Sequence, residues 1–261
     1  DTTPPISLFE ILCNYIKNFS LKFNVSIPWF IMTSTNNYFD TINFFERNNY
    51  FGYDKNDIFF FTQDNLPVIN IDKKLVLSEI YKVNFASNGN GNLFTVFIGY
   101  TINSKCKVGS KTLFKKSPSD KSWVFAIKNG KPTIIDCEMF TEEISELTDN
   151  KGNYLYRETN MLAHLFHIDA ITKMSTINLP YHRAFRKNAF VNEEGMKEVP
   201  EKPNIYKFEQ FVFDAFSYFD NIALLRVNEE EEFAPIKSFT GPHNPEIALE
   251  RYERYVLNKQ K

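Results

Sequence analysis

The order strand, helix, strand near the N-terminus constrains this chain more than any other feature. Ile27-Pro-Trp-Phe-Ile-Met-Thr33 is a short apolar run that reads as a buried strand. Residues 35–49 carry Phe39, Ile42 and Phe45 inward at helical spacing, and Asn49-Tyr-Phe-Gly52 ends that helix. Ile58-Phe-Phe-Phe61 is the next strand. A strand, a crossover helix and a second strand form a βαβ unit, which favours a parallel sheet with a right-handed connection. Ligands of such sheets collect at the carboxyl ends of the strands. Thr33-Ser34 and Gln63 occupy two such ends.

Other elements follow from local signals. Ser7 caps a helix after Pro4-Pro5, with Leu8, Leu12, Tyr15, Ile16 and Phe19 on one inward face. Residues 95–100 form a strand. Residues 123–127 and 133–137 flank Asn129-Gly130, the strongest short turn signal, and read as a β-hairpin. Phe208, Phe211, Val212, Ala215, Phe216 and Phe219 follow helical spacing, which predicts a helix over 206–219. Residues 222–227 form a strand, and Asn244-Pro245 starts a helix that runs to about Leu257. The expected fold is a single α/β core over residues 1–257. Its sheet is mixed and mainly parallel, flanked by helices, with an added hairpin.

Composition removes several function classes. Thirty Lys+Arg against 32 Asp+Glu leave a charge of −2, so there is no basic excess to neutralise nucleic-acid phosphates. The 43% hydrophobic content supports a sizeable core. The 27 Phe and 13 Tyr reflect a biased composition rather than a set of stacking platforms. Cys13, Cys106 and Cys137 are an odd, scattered set without zinc spacing, which fits a reducing compartment. No apolar stretch has membrane-spanning length, and the N-terminus lacks the pattern of a secretory signal. The expectation is a cytoplasmic protein with no nucleic-acid or membrane partner.

On general chemical grounds the candidate residues stay open. Ala86-Ser-Asn-Gly-Asn-Gly-Asn92 is the only dense glycine loop, and it reads either as an ordinary turn or as a cradle of backbone N–H groups. His164 and His167 are three apart and meet on one face if the segment is helical, but two histidines are an incomplete metal site. The acidic run Glu229–Glu232 reads as a solvated surface, or as carboxylates for a divalent cation. Lys237 by itself reads as a surface lysine.

Seven blocks then occur in one order. They are Ile27-Pro-Trp-Phe-Ile-Met-Thr-Ser34, Phe44-Phe-Glu-Arg-Asn-Asn-Tyr-Phe-Gly52, Phe60-Phe-Thr-Gln-Asp-Asn-Leu-Pro67 and Ser87-Asn-Gly-Asn-Gly-Asn92. The set continues with residues 156–166 around Asn160 and His164, Lys207-Phe-Glu-Gln-Phe-Val-Phe-Asp214, and residues 230–237 ending in Lys237. Together they resemble eukaryotic UDP-N-acetylglucosamine pyrophosphorylases and related UDP-sugar pyrophosphorylases. The resemblance implies a glycosyltransferase-A-like, Rossmann-type nucleotidyltransferase. Its reaction joins UTP to N-acetylglucosamine 1-phosphate, giving UDP-N-acetylglucosamine and pyrophosphate. Magnesium, with manganese as the alternative, is the implied cofactor. A glucose- or galactose-type sugar pyrophosphorylase and a catalytically silent nucleotide-sugar-binding homologue are the other readings.

Carried over by position, the resemblance gives Gln63 the uracil edge and packs Gly89 and Asn90 on the uridine. It gives Asn160 and Asp136 the sugar, and it places Phe211 and Phe213 around the N-acetyl group. Lys237 becomes the phosphate-contacting catalytic residue. Departures are equally specific. The family's glycine-rich N-terminal loop has no counterpart, and a segment with the motif Val-Asp-Asn is missing between Phe94 and Val96. A shorter omission falls at Gly241-Pro242. The chain is therefore expected to be an incomplete core, with breaks near 94–96 and 241–242. Asp136-Cys137 stands where the family has Glu-Tyr, Trp123 where it has Gly, and Thr159 where it has the Gly before Asn160.

Overall fold

The computed structural model describes residues 6–88, 106–120 and 122–259. The glycine loop from Gly89 onward, the strand expected over 95–100 and the break expected near 94–96 lie outside the described residues. The strands are, in chain order, β1 (Trp29–Thr33), β2 (Ile58–Thr62), β3 (Asn65–Pro67), β4 (Ile69–Asn70), β5 (Leu77–Glu79), β6 (Lys82–Val83) and β7 (Phe85–Ser87). They continue with β8 (Val108–Phe114), β9 (Trp123–Lys128), β10 (Lys131–Asp136), β11 (Glu158–Phe166) and β12 (His182–Arg186). The last are β13 (Phe190–Val191), β14 (Lys197–Glu198), β15 (Ile205–Glu209) and β16 (Ala223–Arg226). The chain divides into two compact units. The first comprises Asp1–Val96 and Leu179–Val212, the second Phe97–Asn178 and Phe213–Lys261.

In the first unit the βαβ expectation holds. β1 and β2 pair in parallel, with Trp29 opposite Ile58 and Thr33 opposite Thr62. The helix Tyr38–Arg47 lies between them in sequence and sends Phe45 into the core, whereas Phe39, expected inward, is exposed in the first turn of the helix. Phe45 is fully buried with Ile31 and Ile58 beside it. Its ring meets Phe9, Phe51, Phe60 and Trp29 edge-on at 4.9–5.4 Å, the geometry an aromatic quadrupole prefers.

The helix Leu8–Phe23 is capped by Ser7, whose Oγ accepts from the Glu10 N–H at 3.1 Å. The stripe expected to face inward, Leu8, Leu12, Tyr15 and Phe19, is exposed. Phe9 and Cys13, one helical turn apart, form the packed face instead. The stop at Asn49–Gly52 is a left-handed turn with φ of 47°, 50°, 52° and 69°, which suits Gly52, is tolerated by Asn49 and strains Tyr50 and Phe51. Lys17 Nζ donates to the Phe51 carbonyl at 3.2 Å and helps hold that turn. A second core of Val68, Val76 and Ile205 lies under a three-stranded sheet ordered β12–β15–β4.

The second unit is built on a five-stranded sheet ordered β10–β9–β11–β8–β16. β9 and β10 form the expected hairpin, and Asn129 (φ 53°) and Gly130 (φ 73°) make the left-handed two-residue turn it requires. The sheets of both units depart from the mainly parallel expectation. Among the described residues only β1–β2 and β16–β8 are parallel, and every other ladder is antiparallel. The reason lies in the connections. Parallel strands need a crossover of about a dozen residues or more, whereas β9 and β10 are joined by two.

The helix expected over 206–219 is also replaced. Residues 205–209 pair antiparallel with β12, and Val212–Tyr218 winds into a 3-10 helix. Helical spacing of the apolar residues decided the sequence reading, but a ladder to residues 182–186 is worth more than a helical turn there. Phe216, fully buried, then sits 5.7 Å from Phe125, 6.0 Å from Phe166 and 5.1 Å from His164. His164 and His167 do not share a helix. His164 lies in β11, and His167 caps the helix Ile168–Met174. His164 Nδ1 is 2.9 Å from Ser110 Oγ, and its buried Nε2 has no partner among the described residues.

Two outcomes are expected. Phe45→Ala should destabilise the first unit by about 3–5 kcal/mol, through lost burial and the cavity left behind. Urea unfolding followed by Trp29 emission measures this, and a loss below about 1 kcal/mol would contradict the packing described. Burial pushes the His164 imidazole down from 6.5 to about 4. The unfolded state therefore binds a proton that the folded state refuses between those values. The stabilising contribution of neutral His164 is fully present above pH 6.5 and is lost as pH falls toward 4, by about 3 kcal/mol. His164→Gln should flatten the fall in stability between pH 7 and pH 4.5, and an unchanged slope would contradict it.

Candidate functional site

The first unit holds the residues assigned to the nucleotide. Gln63 leaves the end of β2, and its backbone N–H donates to the Thr33 carbonyl at 2.9 Å. The Gln63 side chain is half-buried, and its amide makes no hydrogen bond with any described residue. That leaves one donor and one acceptor side for a ligand. Gly89 and Asn90 lie outside the described residues, but Asn88 just before them is fixed. Its N–H donates to the Asp64 carbonyl at 2.8 Å, and its carbonyl accepts from the Gln210 N–H at 2.9 Å. Asn88 Nδ2 donates to Gln210 Oε1 at 2.9 Å, while Gln210 Nε2 donates to the Leu179 carbonyl at 2.7 Å. Asn88 Oδ1 is buried without a partner among the described residues. Sequence reasoning missed the Asn88–Gln210 pair, because 122 residues separate them. Phe211 is half-buried, with its ring 4.9 Å from His182.

The second unit holds the residues assigned to the sugar, and three adjacent strands assemble them. Asp136 on β10 is directly opposite Trp123 on β9, so their side chains stand on one face of the sheet. Thr159 on β11 is opposite Val124, which places Asn160 on the same face as Trp123. Phe213 joins from the 3-10 helix, with its ring 5.0 Å from the Trp123 indole and only 4% exposed. Asp136, Asn160 and Phe213 therefore converge around Trp123. Phe213 is a core residue with one ring face on the indole, and Phe211 belongs to the other unit, so the two phenylalanines do not line one wall within either unit.

The polar atoms of this cluster are partly committed. Asp136 Oδ1 accepts from the Glu138 N–H at 2.9 Å and caps a short turn. Asn160 Oδ1 accepts from the Leu162 N–H at 2.9 Å, in a bulge where Leu162 takes φ 60°. The Asn160 amide nitrogen makes no hydrogen bond with any described residue. Thr159, in place of a glycine, is buried and satisfied, donating to the Leu113 carbonyl at 3.2 Å. Lys115, 1% exposed, places Nζ 3.5 Å from Cys137 Sγ. Burial pushes the Cys137 thiol up, against the pull of that ammonium.

Lys237 is exposed in a turn in which its N–H donates to the His243 carbonyl at 2.8 Å. Its ammonium pairs with no described residue, and the described contacts do not bring it to Asp136, Asn160 or Phe213. The acidic run forms the short helix Glu229–Glu232, and two of its four carboxylates are paired with cations from elsewhere in the chain. Lys111 pairs with Glu232 at 2.6 Å, and Lys116 and Arg251 pair with Glu229 at 2.5 and 3.7 Å. Among the described residues no group of three or more His, Cys, Asp or Glu is placed to hold a metal ion. No helix there is long and apolar enough to cross a membrane.

Comparison with known proteins agrees with the blocks. Residues 4–114 match the family model described as UTP–glucose-1-phosphate uridylyltransferase. The human UDP-N-acetylhexosamine pyrophosphorylase-like protein 1 is 30% identical over 250 residues, 82% of this chain and 49% of that protein. The UDP-N-acetylglucosamine pyrophosphorylase of Saccharomyces cerevisiae is 28% identical over 261 residues, 84% of this chain and 55% of that protein. A crystal structure from Entamoeba histolytica, provisionally named a UDP-N-acetylglucosamine pyrophosphorylase, shares the fold. Its TM-score is 0.85 at 22% identity, over 99% of this chain and 76% of that one. The chain spans about half the length of the curated relatives it matches. In its seven blocks, in these relatives and in its mixed α/β fold, the chain is similar to UDP-sugar pyrophosphorylases.

Proposed function

We propose that this protein is the UDP-N-acetylglucosamine pyrophosphorylase of its cell, acting in the cytoplasm on a glycosyltransferase-A-like framework. It takes UTP and N-acetylglucosamine 1-phosphate to UDP-N-acetylglucosamine and pyrophosphate. The observation that carries this reading is the convergence of Asp136, Asn160 and Phe213 on one sheet face, at positions that match the family's sugar-binding blocks. The names of the relatives support the choice of sugar.

The chemistry is an in-line attack of the sugar phosphate on the α-phosphorus. It depends on positioning and charge neutralisation more than on covalent catalysis. Gln63 reads the uracil edge through its uncommitted amide, with Gly89 and Asn90 against the uridine. The Asp136 carboxylate accepts from sugar hydroxyls. The Asn160 amide nitrogen donates to the sugar or its acetamido carbonyl. Lys237 supplies a mobile point charge to phosphate. Magnesium or manganese neutralises the phosphates when bound. Among the described residues no cluster of carboxylates is placed to hold it.

Pyrophosphate release from UTP, compared across N-acetylglucosamine 1-phosphate, glucose 1-phosphate and galactose 1-phosphate, tests the reading. The first should be preferred. Release with glucose 1-phosphate alone would move the protein to another sugar, and binding of both substrates without release would make it a silent homologue. Gln63→Ala should raise the KM for UTP about tenfold with little change for the sugar phosphate. Asn160→Ala should do the reverse. Equal losses for both substrates, in either variant, would remove that assignment.

A further inference from the structure

We infer that Trp123 is itself a sugar-binding residue, whose indole is the platform on which the pyranose ring of the sugar phosphate rests. The inference deepens the proposed function and rests on it.

Trp123 is the first residue of the middle strand of three. Its direct neighbour on β10 is Asp136. On the other side Thr159 opposes Val124, and the next step of an antiparallel ladder sets Asn160 beside Trp123. An aromatic face is thus flanked by a carboxylate on one strand and an amide on the other, all on one face of the sheet. The indole is half-buried and is backed by the buried Phe213 ring at 5.0 Å and 54°.

This arrangement suits a pyranose. The face of the sugar ring presents weakly positive C–H groups, and the indole face is the negative side of its quadrupole. The rim of the ring presents hydroxyls and the acetamido group, which need acceptors and donors at the edge of the platform. Asp136 supplies acceptors and Asn160 a donor. The competing picture is an indole that merely fills the subsite. The two differ in sign. Removing a platform weakens the sugar phosphate, and removing an obstruction tightens it.

The chain has two tryptophans, Trp29 and Trp123, so Trp29→Phe leaves Trp123 as the single indole fluorophore. Titration of that variant with N-acetylglucosamine 1-phosphate should give a saturable change in emission that UMP does not give. In the otherwise native chain, Trp123→Gly should raise the KM for the sugar phosphate about tenfold, the scale of one aromatic contact, and leave that for UTP within about twofold. Trp123→Phe should recover most of the loss. If Trp123→Gly is unfolded by circular dichroism, Trp123→Phe against the native chain carries the comparison, with a smaller rise in the same KM. Emission unmoved by saturating sugar phosphate, or a KM unchanged or lowered in the variants, overturns the inference. If the native chain turns over while Trp123 is silent, the inference alone falls. If the native chain neither binds UTP nor releases pyrophosphate, the proposed function falls and takes the inference with it.

Discussion

The register of β11 against β9 is the constraint on which the cluster around Trp123 depends. Thr159 opposite Val124 turns Asn160 toward Trp123 and Asp136. Strand side chains alternate, so a slip of one residue would send Asn160 to the other face and bring Thr159 into its place. Packing holds that register. Val124 is fully buried, Thr159 is buried and hydrogen-bonded to Leu113, and Thr112 is fully buried opposite Asn160. Beyond Asn160 the bulge shifts the ladder, and His164 re-enters it opposite Ser110, against Phe216. One irregularity therefore lets the same strand present a half-buried amide, Asn160, and a core imidazole, His164.

Legibility followed the range of the interactions. The βαβ unit and the Asn129-Gly130 hairpin were readable because the deciding contacts are local, as with the Ser7 cap. The segment 206–219 was misread because its first half is decided by a partner strand at 182–186. The exposed face of the first helix was misread for a related reason. Two apolar stripes share that helix, and only the Phe45 ring beside Phe9 chooses between them. For the site, family-like blocks located Asp136, Asn160 and Phe213, while their convergence needed the strand order. Trp123 had registered only as a departure. Its position between Asp136 and Asn160 is a property of the sheet.

Among the described residues two buried polar atoms stand without partners, Asn88 Oδ1 and His164 Nε2. Each such group costs about 1–3 kcal/mol. Around both, the remaining polar atoms are well satisfied, by Gln210 and Asp64 in one case and by Ser110 in the other. The acidic helix contributes little by comparison. Its ion pairs are largely exposed and sit in the range that measures at most about 1 kcal/mol each.

The two units are threaded through one another along the chain, since each is made of two stretches separated by part of the other. A ribosome delivering residues in order therefore cannot finish the first unit before residue 212 has emerged. By then most of the second unit's strands are already exposed to solvent. β4 must wait for β15, about 135 residues later, before its ladder closes. Such long-range pairings fold slowly and leave strand edges open in the interval. The vulnerable moment in this protein's life is its synthesis, and a chaperone that shields β4 and β8 until their partners arrive would matter more to its yield than any single contact in the finished fold.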